Sequence, residues 1–212
     1  MSVWAIIPVK PLARAKSRLS AVLSPEERLQ LAENLLRHVI TTVRSVPEIA
    51  GALVISRDTK ALSIARDAGA HTVQESGTPE LNNALMRATS VVRGWRSGAV
   101  LILPADLPLV NADDVRGMLE LGLEENTVVI ATDEQQDGTN AMLIRPPGLI
   151  PYAYGVGSYH RHVSLAREVG ALVRVYNSPR LALDIDVPGD LEMYYQLSRN
   201  GHHLLTPNGA KG

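Results

Sequence analysis

Two carboxylates stand two residues apart near the end of this chain, in the apolar segment Leu183-Asp184-Ile185-Asp186-Val187-Pro188. Side chains of a strand alternate between its faces, so Asp184 and Asp186 are predicted to point the same way. Like charges on one face repel, and a hard divalent cation with oxygen ligands makes such a pair favourable. A third acid, Asp106, lies just past the apolar run 100–103. The pattern predicts a Mg²⁺ site of three aspartates at one sheet edge; alternatively, one or more of them caps a helix or turn.

A cluster of positive charge follows the first apolar segment. Its members are Lys10, Arg14, Lys16 and Arg18. Open α/β sheets bind phosphates at this first loop. The loop has no glycine, so it is neither a P-loop nor a dinucleotide fingerprint, and binding would come from Lys and Arg. The alternative is a solvated basic turn. Opposite three aspartates, phosphate binding is favoured, because a metal and lysines on opposite sides of a triphosphate suit phosphoryl chemistry.

Two further segments carry polar groups suited to a small anion. The turn 137–142 contains Thr139, whose hydroxyl and nearby backbone N–H groups could hold an anion, although an ordinary turn explains it equally well. In the segment 154–162, two glycines precede Ser158, which is predicted to cap a helix whose free amides bind anions. The spacing of His160 and His162 fits neither one helix face nor a known metal cluster, so both are assigned a structural or indirect role.

The bulk composition excludes several classes of function. The chain has 212 residues, 45% of them hydrophobic, and a net charge of −1, so no overall field attracts it to nucleic acid or to a membrane. It contains no cysteine, which excludes disulfides and thiolate chemistry. No apolar run is long enough to span a bilayer, and the N-terminus lacks the pattern of a signal peptide. We therefore expect a cytoplasmic protein.

Strand-like and helix-like segments alternate along the chain, which predicts an α/β fold with a largely parallel sheet covered on both faces. The predicted strands cover residues 3–9, 52–56, 71–74, 99–103, 127–131, 141–144 and 172–176. The predicted helices cover residues 25–46, 60–68, 78–95, 111–122, 158–169 and 189–197. A single domain is expected over residues 1–200. The tail 201–212 is expected to be flexible, and its His202-His203 pair is assigned no function.

Five motifs occur in a fixed order: IPVKPLARAKSRL, LPADLPL, DGTNAMLIRPP, GVGSYHRH and LDIDVPGDLE. Together they resemble the guanylyltransferase family that makes the deazaflavin coenzyme F(420), and the resemblance extends from Val3 to about Arg199. It implies a three-layer αβα sandwich of the molybdopterin-guanylyltransferase type. It also implies transfer of GMP from GTP to a phosphorylated three-carbon acid, with release of pyrophosphate. The acid is 2-phospho-L-lactate in archaeal members, phosphoenolpyruvate in bacterial ones and 3-phosphoglycerate in some; phosphoenolpyruvate is favoured here.

The resemblance also implies roles for individual residues. Asp106, Asp184 and Asp186 would hold Mg²⁺. Nucleotide and phosphate binding is implied for Pro8, Lys10, Arg14, Lys16 and Arg18, with Lys16 acting in catalysis. The base and ribose would lie between the first loop and the segment 75–83, which includes Leu81 and Asn82. The acid's carboxylate would be held by Thr139, Gly155 and Ser158.

The expected nucleophile is a phosphate oxygen of the acid, which is mostly ionised at pH 7, so no general base is required. Two alternative enzymes share the expected fold: a nucleotide-sugar glycosyltransferase, for which Asp184-Ile185-Asp186 resembles the D-x-D metal motif, and a cytidylyltransferase. An alternative of another class is a non-catalytic nucleotide sensor. The diphosphate-linked product should be labile, which suggests direct transfer to the next transferase. A homodimer is a further possibility.

Overall fold

The computed structural model describes residues 2–77 and 79–198. The predicted tail, with His202 and His203, lies outside them, as does Thr78. These described residues form one sheet of seven strands. Its strands are β1 (Val3–Val9), β2 (Ile49–Ser56), β3 (His71–Gln74), β4 (Ala99–Ile102), β5 (Thr127–Thr132), β6 (Thr139–Arg145) and β7 (Leu172–Val175). Their order is β3-β2-β1-β4-β6-β5-β7. Among them β6 alone runs antiparallel to both neighbours, so the sheet is mainly parallel, as predicted.

Helices cover both faces of the sheet. They are α1 (Pro25–Arg44), α2 (Thr59–Asp67), α3 (Leu81–Gly94), α4 (Ala112–Leu121), α5 (Ser158–Glu168), α6 (Pro179–Ala182) and α7 (Pro188–Leu197). Side chains of α1, α2 and α4 pack in one core with Ala5 and Ile7 of β1, whereas α3 and α5 pack in a second core with Ile6. Since alternate residues of one strand enter opposite cores, the expected αβα sandwich is confirmed. Within the two described ranges, no helix combines the length and the apolar character needed to cross a bilayer.

A third apolar cluster lies beside the sheet and buries two residues of the acidic segment 183–187. Leu183 and Ile185 pack there with α7 and with Leu31 and Leu35 of α1. Leu19, from the end of the first loop, is buried in the same cluster. The basic loop and the acidic segment are therefore attached to one apolar support.

Two predicted elements differ from the observed ones. The segment 183–187 is not a strand of the sheet but an extended link between α6 and α7. At the end of this link, Asp190 Oδ2 accepts hydrogen bonds from the N–H groups of Asp186 and Val187, at 2.7 Å each, where α7 begins. The third helix begins at Leu81 rather than residue 78, since the side chain of Glu80 caps it by accepting from Asn82 N and Asn83 N.

Candidate active site

The candidate site lies at the edge of the sheet where its parallel strands end. The basic loop follows β1, and Asp106 follows β4, which is paired in parallel with β1. Strand β6 runs antiparallel to β4, so Thr139 at its start lies at the same edge. Carboxyl ends of parallel strands are where open α/β sheets bind ligands. Sheet order thus brings together three segments that are far apart in sequence.

The basic loop folds into two short 3₁₀ turns, Leu12–Arg14 and Ser17–Leu19. The first turn is held by Asp58, whose Oδ2 accepts a hydrogen bond from Leu12 N at 2.7 Å. Between the turns, Lys16 takes a left-handed backbone conformation with φ 57°. Its side chain is turned inward, with only 8% of its surface exposed, and Nζ lies 3.6 Å from Asp106 Oδ2.

The other three cations of the loop are exposed. Lys10 and Arg14 make no ion pair with any described residue. Arg18 Nη1 donates to Asp186 Oδ2 at 2.6 Å. Pro8 is partly buried in β1 beside Ile55 of β2, at the end of the strand that leads into the loop. The geometry therefore distinguishes Lys16 from the rest of the predicted phosphate-binding set.

Asp106 and Asp184 are brought into electrostatic contact. The backbone N–H of Ile185 donates to Asp106 O at 3.1 Å, which places the acidic segment beside the end of β4. Burial, and next the charge of Asp106, raise the pKa of Asp184 to about 6. Among residues 2–77 and 79–198, no three or more His, Cys, Asp or Glu side chains are grouped closely enough to hold a metal ion. The carboxylate of Asp186, the third predicted ligand, is bonded to Arg18.

The chemistry of Asp106 and Asp184 fits a hard cation. A carboxylate whose ionised form is disfavoured by burial and by a neighbouring carboxylate is stabilised when a divalent ion binds, and oxygen donors are what Mg²⁺ prefers. Asp184 lies close enough to feel the charge of Asp106, whereas the carboxylate of Asp186 is bonded to Arg18.

The segment before Asp184 is tied to the rest of the molecule by buried polar contacts. Asp114, whose side chain is 0% exposed, accepts from Ser178 Oγ at 2.6 Å and from Arg180 Nε and Nη2 at 2.7 and 2.8 Å. Asn140 Nδ2 donates to Leu181 O at 2.8 Å. These bonds hold α6, and with it the position from which Asp184 projects.

The three residues predicted to bind the acid's carboxylate lie in one neighbourhood. The loop before α5 rests on the turn before β6, since Gly157 N donates to Asp137 Oδ2 at 3.1 Å and Tyr159 N to Asp137 O at 2.9 Å. Gly155 lies in this loop with φ +126°, a conformation that favours glycine. Ser158 is not the helix cap that was predicted. Gly157 in a left-handed conformation takes that position, so Ser158 is the first helical residue.

His162 connects Thr139 to this loop. Thr139 Oγ1 lies 2.9 Å from His162 Nδ1, and Ala153 N donates to His162 Nε2 at 2.9 Å. The ring is 0% exposed. Its burial, and secondarily the charge of Arg161, lower its pKa to about 4. The expectation of an indirect role agrees with these contacts.

The segment predicted to bind the base and ribose reaches the same loop. Asn82 Oδ1 accepts from Tyr154 N at 2.7 Å, and Asn82 Nδ2 donates to Tyr154 O at 3.5 Å. Its amide is therefore engaged with the backbone next to Gly155. Leu81 is 37% exposed at the start of α3.

Sequence reasoning missed Asp58, Asn140 and the pairing of Asp114. Asp58 precedes α2 and Asp114 lies in the first turn of α4, and neither position carries a local signal for its distant partner, Leu12 N for Asp58 and Arg180 for Asp114. Asn140 lies within DGTNAMLIRPP, next to Thr139, so the motif contained a signal for it. The two neighbours point to opposite sides of β6, one to His162 and one to α6.

Comparison with known proteins places this arrangement in a family. A family model described as guanylyl transferase CofC like matches residues 3–201. A phosphoenolpyruvate guanylyltransferase of Rubrobacter xylanophilus is 42% identical over 191 residues, covering 90% of this chain and 92% of that protein. A 2-phospho-L-lactate guanylyltransferase of Methanothermobacter thermautotrophicus is 35% identical over 192 residues, covering 90% of this chain and 83% of that protein.

Solved structures show the same fold at low sequence identity. A protein from Desulfovibrio desulfuricans G20, described as a nucleotide-diphospho-sugar transferase, matches with a TM-score of 0.76 at 16% identity, over 94% of this chain and 89% of that chain. A nucleotidyl transferase from Methanothermobacter matches with a TM-score of 0.68 at 16% identity, over 92% and 97% of the two chains. The predicted nucleotidyltransferase fold is confirmed, and by its sequence the chain belongs to the CofC-like family of guanylyl transferases.

Proposed function

We propose that this protein transfers GMP from GTP to a phosphorylated three-carbon acid, with release of pyrophosphate, in the synthesis of coenzyme F(420). The observation that carries the proposal is the inward-turned Lys16, whose ammonium lies 3.6 Å from Asp106 at the edge where the parallel strands end. A buried ammonium group beside two carboxylates is suited to binding a metal–triphosphate complex. The ammonium group attracts the phosphates, and the carboxylates attract the metal ion.

Phosphoenolpyruvate is the favoured acid. The relative at 42% identity is named for phosphoenolpyruvate, whereas the relative named for 2-phospho-L-lactate is 35% identical. The two acids differ by a double bond, so a few side chains around the acid decide between them. Thr139, Gly155 and Ser158 are proposed to hold the carboxylate, because the contacts of Asp137 and His162 gather them in one neighbourhood.

The residues then divide the work of the reaction. Lys16 binds the phosphates of GTP and offsets the charge that develops on the leaving pyrophosphate. The exposed Lys10, Arg14 and Arg18 attract the two polyanionic substrates. The acid's phosphate, mostly ionised at pH 7, attacks without a general base, so the protein's contribution is to hold both substrates in line.

Mg²⁺ is the proposed cofactor, held by Asp106 and Asp184. When bound, it would supply Lewis-acid stabilisation of the transferring phosphate. Asp186 is proposed as a further ligand. Its bond to Arg18 then has to open when the nucleotide binds, and the phosphates provide the alternative partner that a guanidinium needs.

The direct test is incubation with GTP, Mg²⁺ and each candidate acid, with release of pyrophosphate measured over time. Rapid release with phosphoenolpyruvate, and slower release with 2-phospho-L-lactate and 3-phosphoglycerate, is the expected result. Arms with CTP and a nucleotide sugar test the alternative enzymes. If GTP binds and no acid releases pyrophosphate, the protein is a nucleotide sensor and the proposal is wrong.

Direct transfer of the product to the next transferase is also proposed, on product chemistry alone. The product joins the acid to guanosine through a labile diphosphate. A coupled assay with the next enzyme should therefore show less free product than two independent enzymes release. Equal amounts would contradict the transfer.

A further inference from the structure

We propose that His162 is a positioning residue that turns the hydroxyl hydrogen of Thr139 toward the acceptor acid. This inference rests on the proposed function, because it assigns a task to the group that would hold the acid's carboxylate. It rests on two hydrogen bonds of the same imidazole ring, one with Ala153 N and one with Thr139 Oγ1.

The first bond decides the tautomer of the ring. Ala153 N lies 2.9 Å from His162 Nε2, and a backbone N–H can only donate. Nε2 must therefore carry a lone pair and no hydrogen. In a neutral imidazole the one remaining hydrogen is then on Nδ1. The ring is neutral at pH 7, in agreement with the burial that lowers its pKa to about 4.

The second bond transmits this choice to Thr139. With its hydrogen on Nδ1, His162 donates to Thr139 Oγ1 at 2.9 Å. Thr139 thus uses one of its lone pairs as an acceptor, and its own O–H cannot point at the ring. In the other tautomer Thr139 would have to donate to Nδ1, and its hydrogen would be consumed inside the protein.

The freed hydrogen is available to a ligand. Among the described residues, the hydroxyl of Thr139 has no partner besides His162, although the residue is only 6% exposed. A buried hydroxyl whose hydrogen makes no hydrogen bond is suited to donating to an acceptor of high charge density, such as a carboxylate. Ser158, one helical turn before His162 on α5, lies on the same face of that helix, so ring and anion-binding loop form one rigid unit.

Three variants separate positioning from packing. His162→Asn retains an N–H near Nδ1 and loses the acceptor for Ala153, whereas His162→Gln retains a distant acceptor and loses the donor to Thr139. His162→Gln is expected to raise the KM for the acid about 10-fold or more, with the KM for GTP unchanged. His162→Asn should restore the acid KM to within about 3-fold of the wild type. The exposed His160→Gln, on the same helix, is the matched control and should change neither KM.

A double variant tests whether His162 acts through Thr139. Thr139→Val alone should raise the acid KM about as much as His162→Gln, and the double variant should add no more than about 2-fold, since the two changes remove one interaction. Multiplicative effects, or equal changes in the KM for GTP and for the acid, would overturn the proposal.

A spectroscopic measurement on the folded wild type needs no activity. Nitrogen-15 NMR at pH 7 should show the imidazole hydrogen of His162 on Nδ1, and a hydrogen on Nε2 would overturn the proposal. If the wild type releases no pyrophosphate with any acid while the ring is protonated at Nδ1, the proposed function fails and the ring geometry stands.

Discussion

Lys16 Nζ and Asp106 Oδ2 lie 3.6 Å apart, and the lysine side chain is almost entirely withdrawn from solvent. The contact joins the loop after β1 to the end of β4, two strands that are hydrogen-bonded neighbours. Lys16 also lowers the pKa of Asp184, against the effects of burial and of Asp106. One ammonium group therefore balances both carboxylates of the candidate metal site before any nucleotide binds.

The first prediction concerns this lysine. Lys16→Ala should reduce kcat/KM for GTP by about 10²–10³-fold, because it removes a preorganised charge from the site. Arg14→Ala, in the same loop, should cost less than about 10-fold, since its side chain is exposed and screened by water. Pyrophosphate release at a series of GTP concentrations measures both. Arg174→Ala, an exposed cation of β7 paired with Glu124, is the control. Equal losses for Lys16 and Arg14 would contradict the special position of Lys16.

The second prediction is that Asp184→Asn abolishes turnover and stabilises the fold. The folded-state pKa of Asp184, about 6, lies above its ordinary value of 3.8, so the ionised carboxylate destabilises the folded state above pH 6. Partial exposure reduces the effect, and we expect a gain of about 1 kcal/mol at pH 8. Because the wild type regains this stability as pH falls through 6, the difference should narrow toward pH 4. Urea unfolding at several pH values measures it, and a variant less stable than the wild type at pH 8 would refute the prediction.

A third prediction compares two ion pairs of α4. Arg180→Ala leaves the fully buried Asp114 without its cation. Because the arginine side chain is 42% exposed and water can partly replace it, the free energy of unfolding should fall by about 2 kcal/mol. Arg116→Ala breaks the surface pair with Asp113 and should cost less than about 0.5 kcal/mol. Arg180→Ala should also weaken Mg²⁺ binding, since α6 leads into Asp184. Urea unfolding and calorimetric Mg²⁺ titration provide the measurements. Equal free energies of unfolding for Arg180→Ala and Arg116→Ala would contradict the prediction, because the pair of Arg180 with Asp114 would then stabilise the fold no more than a surface pair does.

The fourth prediction concerns the pH dependence of stability through His162. Its folded-state pKa, about 4, lies below the ordinary value of 6.5, so between these values the unfolded chain binds a proton that the folded chain does not. Stability from the neutral ring is present above pH 6.5 and is lost as pH falls toward 4. The loss between pH 7 and pH 5 should be about 2 kcal/mol.

Urea unfolding of the wild type and of His162→Gln at the two pH values tests this. His162→Gln should lack the His162 contribution to the fall in the free energy of unfolding between pH 7 and pH 5. The variant of an exposed histidine, His160→Gln, should keep that contribution. If the free energy of unfolding falls equally in the wild type and in His162→Gln, the pKa of His162 is not lowered by folding and the prediction is wrong.

The sequence alone determined the elements whose signals are local. The first strand was predicted at residues 3–9 and is Val3–Val9, because a continuous run of apolar residues is a local signal that needs no distant information. The first helix was predicted to begin at residue 25 and begins at Pro25, where Ser24 and Glu27 form a capping box. The order of the five motifs likewise identified the family, which the comparisons confirm. Hydrophobic period and capping chemistry are properties of neighbouring residues, so they can be read from the chain directly.

Tertiary structure decided which of the predicted cations and carboxylates lie in contact. The four cations of the loop are alike in charge, and the family resemblance alone singled out Lys16; in the fold, Lys16 takes a left-handed backbone conformation and its ammonium lies against Asp106. Asp184 and Asp186 share a motif, yet one is placed beside Asp106 and the other is bonded to Arg18. Their separation follows from the packing of α7 and from the position of antiparallel β6, between β4 and β5, from which Asn140 holds α6. Such partners are chosen by sheet order and helix packing, which involve residues far apart in sequence and leave no local pattern.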